Sequence, residues 1–366
     1  MKILSVVLGI PPKNSAQWLR IKKQMDILST LGNDVEICFY AREGKNLQFN
    51  PPFEYSLINV SPVNVHFKHF LKVLDNNYNL VFCNLSKTSF ISSLSKIKGV
   101  PLILDNHGDS VSERQLLFNP GILESLYHKV LSFLSFRLSD RIICVSTSMI
   151  KDLKERGIPE EKLYYVTNAT DLDFFKPLEK DEINETKMNL GLTDKLTFGY
   201  IGSGERWQGL DNLIKASKIM EDNDIFFLFA GFSKNEKRTY NSLFLPRVPR
   251  EEVKFYYGVC DVLVLPRPYH KATEVAAPTK FAEYAAMGKP ILTTNVGDAA
   301  GLVRKYNCGI VVDDNSPKNL LMGIRKFKSL PKRELLEMGE NSRKMAEKEF
   351  SMEKMKQDLK KVIESL

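Results

Sequence analysis

Short apolar runs alternate along the whole chain with stretches in which apolar residues have helical spacing. In the first half the runs lie at 3–8, 35–40, 80–83, 101–104, 141–145 and 163–166. A second series begins near residue 196, with runs at 197–201, 225–230, 261–265 and 309–312. Such runs are typical of strands buried on both faces, and their alternation with helices predicts an α/β protein with parallel sheets. The segment 171–194 is the predicted linker and carries a surface helix, so we expect two Rossmann-like domains, 1–175 and 176–349.

The stretch 261–298 has the clearest local pattern in the second series. An apolar strand is followed by a long loop, a helix predicted over 278–287, and a further strand. Pro278 suits the first turn of a helix, and Gly288 followed by Pro290 is a normal way to end one. The helix N-terminus should lie at the carboxyl end of a strand, where free N–H groups and Lys280 favour an anion.

Lys280 and Glu283 are three residues apart and therefore lie on one face of that helix. Two interpretations stay open on the local sequence. The pair is either a solvated surface pair at an ordinary helix start, or a ligand site in which the lysine binds an anion and the carboxylate binds sugar or ribose hydroxyls.

Composition narrows the function classes. The 366 residues are 43% hydrophobic and 26% charged, which is typical of a globular protein. The net charge of +8 is spread over both halves without a block of Lys or Arg, so nucleic acid is not an expected partner. The five cysteines are scattered and lie in or beside predicted strands, which favours reduced core thiols and a cytoplasmic protein. We see no metal-ligand spacing and no Asp-x-Asp that would chelate Mg²⁺, so no metal and no cofactor is expected.

The amino-terminal run is eight residues long, 3–10, and lacks a small-residue cleavage site, so we interpret it as a first buried strand and not as a signal peptide. The loop 9–15 and the helix predicted over 16–31 follow it. Because G-x-G-x-x-G is absent from this loop, a nicotinamide or flavin cofactor is not predicted.

Several motifs resemble the family 4 retaining glycosyltransferases of GT-B fold. Residues 278–290 (PTKFAEYAAMGKP) are similar to that family's P-x-K-x-x-E-Y-x-A-x-G-K-P signature. Residues 200–210 (YIGSGERWQGL) resemble the segment that holds the donor diphosphate, and 104–110 (LDNHGDS) with Glu113 resemble a loop of the first domain. Residues 144–148, 166–171 and the last helix, 350–366, are similar to the family's domain junctions, and the last helix is expected to cross back onto the first domain.

The resemblance implies two Rossmann-like domains facing a central cleft, and roles for particular residues. It implies that the donor diphosphate is bound without a metal, and that the nucleotide ribose and base are bound by Glu283 and by backbone near Val248. It implies a catalytic histidine, His107, and an acceptor side at loop 11–15, with Asn14 and Ser15. The diphosphate-binding candidates are Ser203, Arg206, Thr279 and Lys280.

The chain departs from the family pattern at three places. The family's second glutamate falls at Val275, so Glu274 is the candidate for that catalytic role. The family's diphosphate-binding Arg and Lys fall near Ser203 and Gln208, which leaves Arg206 as the candidate substitute. Ala169 stands where the family has glycine.

The function that follows is transfer of a sugar from a nucleotide-sugar donor to a lipid-linked or saccharide acceptor. The open alternatives are a nucleotide-sugar epimerase or hydrolase on the same fold and a non-catalytic nucleotide-sugar-binding protein. Trp18, Arg20, Lys22 and Lys23 at the start of the helix 16–31 indicate either contact with anionic lipid, at the inner membrane face, or a solvated basic face over a core of Leu19, Met25 and Leu28.

Overall fold

The computed structural model describes residues 1–13, 15–62, 64–118, 120–192 and 195–366. Unit 1 comprises Met1–Thr167 with Met355–Leu366, and unit 2 comprises Asn168–Lys354. The break falls earlier in the chain than the predicted 175/176, because the intervening residues pack on unit 2, where Phe175 is a core residue. The carboxyl-terminal residues belong to unit 1, where Arg141 Nε donates to Ser365 Oγ at 2.8 Å.

Unit 1 is built on a parallel sheet whose described strands have the order β3-β2-β1-β4-β5-β6-β7. The strands are β1 (Lys2–Leu8), β2 (Asp34–Ala41), β3 (Glu54–Asn59), β4 (Leu80–Asn84), β5 (Leu102–Asn106), β6 (Arg141–Cys144) and β7 (Leu163–Tyr165). The helices are α1 (Ala16–Thr30), α2 (Val65–Leu74), α3 (Ser86–Ser92), α4 (Ser110–Phe118), α5 (Ile122–Leu138) and α6 (Thr147–Glu155). Short 3-10 turns lie at Ser93–Lys98 and Glu160–Lys162.

Unit 2 has a second sheet, with described strands in the order β10-β11-β9-β8-β12-β13-β14 and a single antiparallel pair at the β10 edge. The strands are β8 (Leu196–Ile201), β9 (Ile225–Ala230), β10 (Lys237–Arg238), β11 (Ser242–Leu245), β12 (Val262–Leu265), β13 (Ile291–Thr294) and β14 (Gly309–Val312). The helices are α7 (Lys180–Asn189), α8 (Leu210–Ile219), α9 (Val253–Gly258), α10 (Lys271–Glu274), α11 (Thr279–Ala286), α12 (Gly297–Tyr306), α13 (Pro317–Ser329) and α14 (Lys332–Glu349), with a 3-10 turn at Arg206–Gln208. The last helix of the chain, α15 (Met352–Glu364), runs from the end of unit 2 into unit 1.

The predicted α/β class and the two parallel-sheet, Rossmann-like domains are confirmed. The apolar runs at 3–8, 197–201 and 225–230 are strands whose residues are nearly all buried. The surface helix predicted in the linker is α7, which has no buried residue. The sequence pattern missed β3, because this edge strand is exposed or half-buried along its length and its residues are mostly polar.

Local capping explains where the key helices start and stop. Ser15 Oγ accepts the Trp18 N–H at 3.2 Å and so caps α1. Pro278 lies at the N-cap of α11, and the helix ends at Gly288, whose φ of 65° requires the left-handed conformation that glycine tolerates. The helix predicted over 278–287 is therefore confirmed to within one residue at each end. The five cysteines are all free and buried, as the scattered pattern predicts.

Candidate functional site

The site of unit 2 lies where its sheet changes winding direction. From β8 the chain continues to β9 on one side, whereas β12 pairs with β8 on the other side. In open parallel sheets the crevice outside the carboxyl ends of two such strands is the usual ligand position. The loop 202–209 follows β8, the loop from residue 266 follows β12, and α11 begins after the second loop.

Lys280, in the first turn of α11, points its ammonium into this crevice. Its Nζ donates to the Tyr200 hydroxyl at 2.9 Å and to Gln208 Oε1 at 3.1 Å, and it lies 4.2 Å from the centre of the Tyr200 ring. Burial, followed by the nearby positive charge of Arg267, lowers the pKa of Lys280 to about 7. A cation held in this way gains from an anionic ligand, since its hydrogen-bond acceptors, the Tyr200 hydroxyl and the Gln208 amide, are neutral and the charge of Glu283 does not offset burial.

Two glycines allow the loop 202–209 to pass this close. Gly202 has φ 154°, and a Cβ built there collides with Lys280 Nζ. Gly209 has φ 71°, and a Cβ there collides with the carbonyl oxygen of Pro266. Both positions therefore need glycine for conformation, and Gly209 also needs it for space, because its Cβ would meet backbone.

Arg267 is a site residue that the sequence did not single out. It lies two residues after the end of β12 and is buried, and its guanidinium donates to Thr273 O at 3.4 Å and, at 3.5 Å, to Trp207 O. Gln208 stands where the family resemblance has a lysine, and it bonds to Lys280. No local signal marks either role, because both depend on which strands are neighbours in the sheet.

The other diphosphate-binding candidates surround Lys280 more loosely. Ser203 and Thr279 are exposed, and Ser203 contributes its carbonyl oxygen, which accepts from the Tyr200 hydroxyl at 2.6 Å. Arg206 is exposed at the start of the 3-10 turn in the same loop. Ser203 and Thr279 are thus near Lys280 in the fold, while Arg206 lies on the rim and has the freedom to approach a ligand.

Glu283 is more deeply placed than the surface-pair interpretation requires. It is 6% exposed, and its carboxylate accepts from Arg250 at 3.0 Å and from the Tyr257 hydroxyl at 2.9 Å. The Arg250 guanidinium also lies 5.5 Å from the centre of the Phe175 ring. Lys280 and Glu283 therefore each have other hydrogen-bond partners, and the carboxylate serves the fold as well as any ligand. Val248, predicted near the base, is half-buried in the loop after β11.

The carboxylate of Glu274 is hydrogen-bonded at the start of α12. Its Oε2 accepts the Gly297 N–H at 2.8 Å, which places the carboxylate at the positive end of that helix. Val275 is 3% exposed, so the family's glutamate position is filled here by a core side chain. The prediction that Glu274 takes over the catalytic role remains a prediction.

In unit 1, His107 forms part of a buried charge cluster at the carboxyl end of β5. Its Nε2 lies 2.6 Å from Asp105 Oδ2, and Asp105 receives a two-point ion pair from Arg20, at 2.7 and 2.9 Å. Arg20 also donates to the carbonyl oxygens of Val166 and Thr167. Burial acts to raise the pKa of Asp105, but the charge of Arg20 and the contact with His107 outweigh it and hold that pKa below its usual range.

This cluster corrects the interpretation of α1 as a lipid-binding helix. Trp18 is buried, with its ring centre 4.7 Å from that of Phe49, and Arg20 is buried against Asp105. Neither side chain reaches a membrane, because each is packed in the core of unit 1. Met25 and Leu28 are fully buried, as the solvated-face interpretation predicts, but that interpretation is wrong for Leu19, which is half-buried, and for Arg20, which is not solvated.

The acceptor-side loop lines a cavity of about 840 Å³ in unit 1. Pro11, Pro12 and Lys13 contribute to its wall. Ser15 uses its hydroxyl to cap α1, and Asn14 lies outside the described residues.

No cluster of three or more His, Cys, Asp or Glu in the described part of the chain has an arrangement that could hold a metal ion. No described helix is both long enough and apolar enough to span a bilayer.

Known proteins resemble parts of this chain in sequence. Part of it is 27% identical over 150 residues to alpha-galactosylglucosyldiacylglycerol synthase of Streptococcus pneumoniae, covering 37% of this chain and 39% of that protein. A putative colanic acid biosynthesis glycosyl transferase, WcaI of Escherichia coli, is 24% identical over 208 residues, 53% of this chain and 50% of the relative. The chain thus matches half or less of the length of these two relatives.

The fold matches that of Anabaena HepE, solved in complex with UDP. The TM-score is 0.80 at 16% identity, and the match covers 100% of both chains. The model of the glycosyl transferases group 1 matches residues 182–345, and that of glycosyltransferase family 4 matches residues 27–174. Between them the two models take in most of unit 1 and most of unit 2, so the chain belongs to the family 4, group 1 glycosyltransferases.

Proposed function

We propose that this protein is a retaining, metal-independent glycosyltransferase that moves a hexose-like sugar from a nucleotide-sugar donor to a lipid-linked or saccharide acceptor. The observation that carries the proposal is the position of Lys280, a cation of lowered pKa in the crevice between the carboxyl ends of β8 and β12. Family membership supports the reaction class, and the UDP complex of HepE supports a nucleoside diphosphate as the leaving group.

The donor would bind with its diphosphate at Lys280 and the N-terminus of α11. The exposed side chains of Ser203, Arg206 and Thr279 would add contacts from the rim. Glu283 would accept a ribose hydroxyl with a lone pair that its bonds to Arg250 and Tyr257 leave unused, and backbone near Val248 would meet the base.

In the proposed reaction the protein must stabilise the negative charge that develops on the leaving diphosphate. The bond between the anomeric carbon and the diphosphate oxygen breaks, and a bond to the acceptor hydroxyl forms on the same face of the sugar. The acceptor proton passes to the departing diphosphate. Negative charge grows on that diphosphate as the bond breaks, so Lys280 would interact more strongly with the transition state than with the bound donor.

His107 would act on the sugar or on the acceptor hydroxyl. Its Nε2 is held by Asp105, and Asp105 is held by Arg20, so the ring has a fixed orientation. A ring anchored through one nitrogen presents the other nitrogen to a ligand.

A second candidate, a nucleotide-sugar-binding protein without turnover, is favoured by Val275. The family's glutamate at that position is replaced by a core side chain, and Glu274 is held at α12.

Product analysis with a panel of nucleotide sugars tests these functions. Transfer to added lipid or saccharide acceptors, lost in Lys280→Met, supports the proposal. An altered sugar without an acceptor would indicate an epimerase, and free sugar a hydrolase. Heat of binding with no product under any acceptor condition would favour the binding protein.

A further inference from the structure

Helix α5 turns a polar face toward the protein. Three of its five buried residues are polar: His128, Ser132 and Ser135. Ser135 Oγ donates within this packed face, 2.7 Å from Ser86 O and 2.8 Å from Leu131 O. Most surface helices of globular proteins have the opposite arrangement, with the apolar stripe inward.

The apolar face of α5 is exposed instead. Its members recur at intervals of three and four residues and so form one stripe along the helix. Ile122 is 88% exposed and Leu123 is 83% exposed. The other exposed members are Leu126, Tyr127, Val130, Phe133 and Leu134. Leu117 and Phe118, at the end of α4, are also exposed and extend the apolar surface past the first turn of α5. We call these nine residues the α4–α5 apolar surface.

The surface continues into the cavity of unit 1. Tyr127 belongs to both, and Leu131, from the next turn of α5, also lines the cavity. The cavity lies beyond the carboxyl ends of β1, β2 and β3, and its wall is mainly apolar, including Ile10, Phe49 and Phe90. Because Tyr127 belongs both to the α4–α5 apolar surface and to the apolar cavity, the two fit one extended amphiphile better than two separate ligands.

The charges around the cavity are of one sign. Lys13, Arg42, Lys45 and Lys87 line it, and its described lining residues include neither Asp nor Glu. The single carboxylate of α5, Glu124, is ion-paired with Arg114. Burial, followed by the neighbouring charge of Arg114, lowers the pKa of Lys87.

We propose that the α4–α5 apolar surface lies in the interface of an anionic bilayer, and that the adjoining cavity receives the phosphate-bearing end of a membrane lipid, which is the sugar acceptor. The first half stands by itself, and the acceptor half rests on the proposed function. Exposed apolar side chains beside basic ones are the combination that binds an anionic interface. A second copy of the chain is a poorer partner, because a symmetric contact at this face would bring the cations of one cavity mouth toward those of the other.

Vesicle sedimentation of the full chain tests the surface. We expect the wild type to sediment with phosphatidylcholine vesicles that contain about a third phosphatidylglycerol, to sediment less with phosphatidylcholine alone, and to lose binding as salt rises. The double variant Ile122→Asn/Leu123→Asn should lower the vesicle affinity at least tenfold. Met188→Asn, on α7 of unit 2, is the matched control, since Met188 is an apolar residue of a surface helix, is 75% exposed and is not part of the α4–α5 apolar surface. It should bind vesicles as the wild type does.

A second double variant tests the basic residues that line the cavity. Lys45→Gln/Lys87→Gln should reduce binding to the anionic vesicles and leave binding to neutral vesicles unchanged. An equal loss on both vesicle types would overturn the role of charge. Wild-type protein that stays in the supernatant with both vesicles, or a Met188 control that falls as far as the double variant, would overturn the membrane surface. A wild-type dimer that becomes monomeric in Ile122→Asn/Leu123→Asn, with no vesicle binding, would assign the surface to a second copy.

Two further readouts separate this inference from the proposed function. Calorimetric binding of UDP by Ile122→Asn/Leu123→Asn should equal that of the wild type, because the surface belongs to unit 1 and the donor site to unit 2. Label from a nucleotide sugar should appear in the lipid extract of the vesicles. Equal transfer to soluble saccharides without vesicles would overturn the lipid acceptor and leave the glycosyltransferase intact. Vesicle binding without UDP binding would contradict the proposed function and leave the membrane surface intact.

Discussion

Replacing Lys280 by methionine removes the charge of that side chain from the crevice between β8 and β12 and keeps most of the side-chain volume. Because the pKa of Lys280 is lowered to about 7, half of the wild-type molecules carry the ammonium at pH 7, and about 1% carry it at pH 9. If the diphosphate binds the protonated form, the affinity for UDP should fall by up to about 50-fold between pH 7 and pH 9, about 2.3 kcal/mol.

A lysine of ordinary pKa gives a different result. With a pKa near 10.4 it stays almost fully protonated from pH 7 to pH 9, and the affinity for UDP changes by only about 4%. The terminal phosphate of the nucleotide has a pKa of about 6, so its own charge changes little over this range. The size of the pH effect therefore reports on the environment of Lys280.

Isothermal titration calorimetry with UDP at four pH values checks this prediction. Lys280→Met should bind UDP weakly at pH 7 and show a flat profile to pH 9. Lys318→Met is the matched control, because Lys318 is also the second residue of a helix, α13, but is exposed. It should keep the wild-type profile. A wild-type affinity that is constant from pH 7 to pH 9, or a Lys280→Met affinity within threefold of the wild type at pH 7, would refute the phosphate role of Lys280.

Stability without ligand gives an independent check on the same residue. The folded protein releases the Lys280 proton near pH 7, whereas the unfolded chain holds it to about pH 10.4, so the unfolded state binds more protons between these values. The free energy of unfolding contributed by Lys280 therefore rises with pH over that window. The melting temperature of Lys280→Met should exceed that of the wild type most at low pH, and the difference should shrink toward pH 9. A difference that widens with pH would contradict the assigned cause.

Four further outcomes are expected. Arg20→Met leaves Asp105 buried without its cation and should lower the free energy of unfolding by about 3–5 kcal/mol, measured by urea denaturation; a loss under about 1 kcal/mol would contradict the buried ion pair. Glu283→Gln should lower both the UDP affinity and the melting temperature, since the carboxylate bonds two side chains; unchanged affinity would reduce it to a structural residue. Gly202→Ala should weaken UDP binding at least tenfold with the circular dichroism spectrum unchanged, because its Cβ displaces Lys280, and normal binding would show that the loop adjusts freely. Turnover should survive excess EDTA, and activity that Mg²⁺ or Mn²⁺ restores would disprove the metal-free design.

The sequence by itself determined those features that depend on neighbours along the chain. Pro278 and Gly288 set the ends of α11 because a missing N–H and a positive φ act locally. Continuous apolar runs identified most of the central strands, because a strand buried on both faces tolerates few polar residues, but the buried strand β11 was not predicted. The edge strand β3 lacks that pattern and was missed for the same reason.

Only the tertiary structure decided which side chains meet. Lys280 contacts Tyr200 and Gln208, which are 80 and 72 residues away, and Arg20 contacts Asp105 across 85 residues. These contacts follow from the strand order of each sheet, which local preference does not encode. The sequence alone therefore suggested that Arg20 is a surface cation, and no local sequence feature identified Arg267 as a site residue.

The orientation of α5 is the clearest case. Its periodicity shows one apolar and one polar face, but periodicity is the same whichever face is turned inward. Ser135 finds hydrogen-bond partners in α3 and within α5 itself, and the polar face packs inward while the apolar face is left to solvent. That choice depends on hydrogen bonds between segments about 50 residues apart, such as Ser135 to Ser86, and only the folded chain contains them.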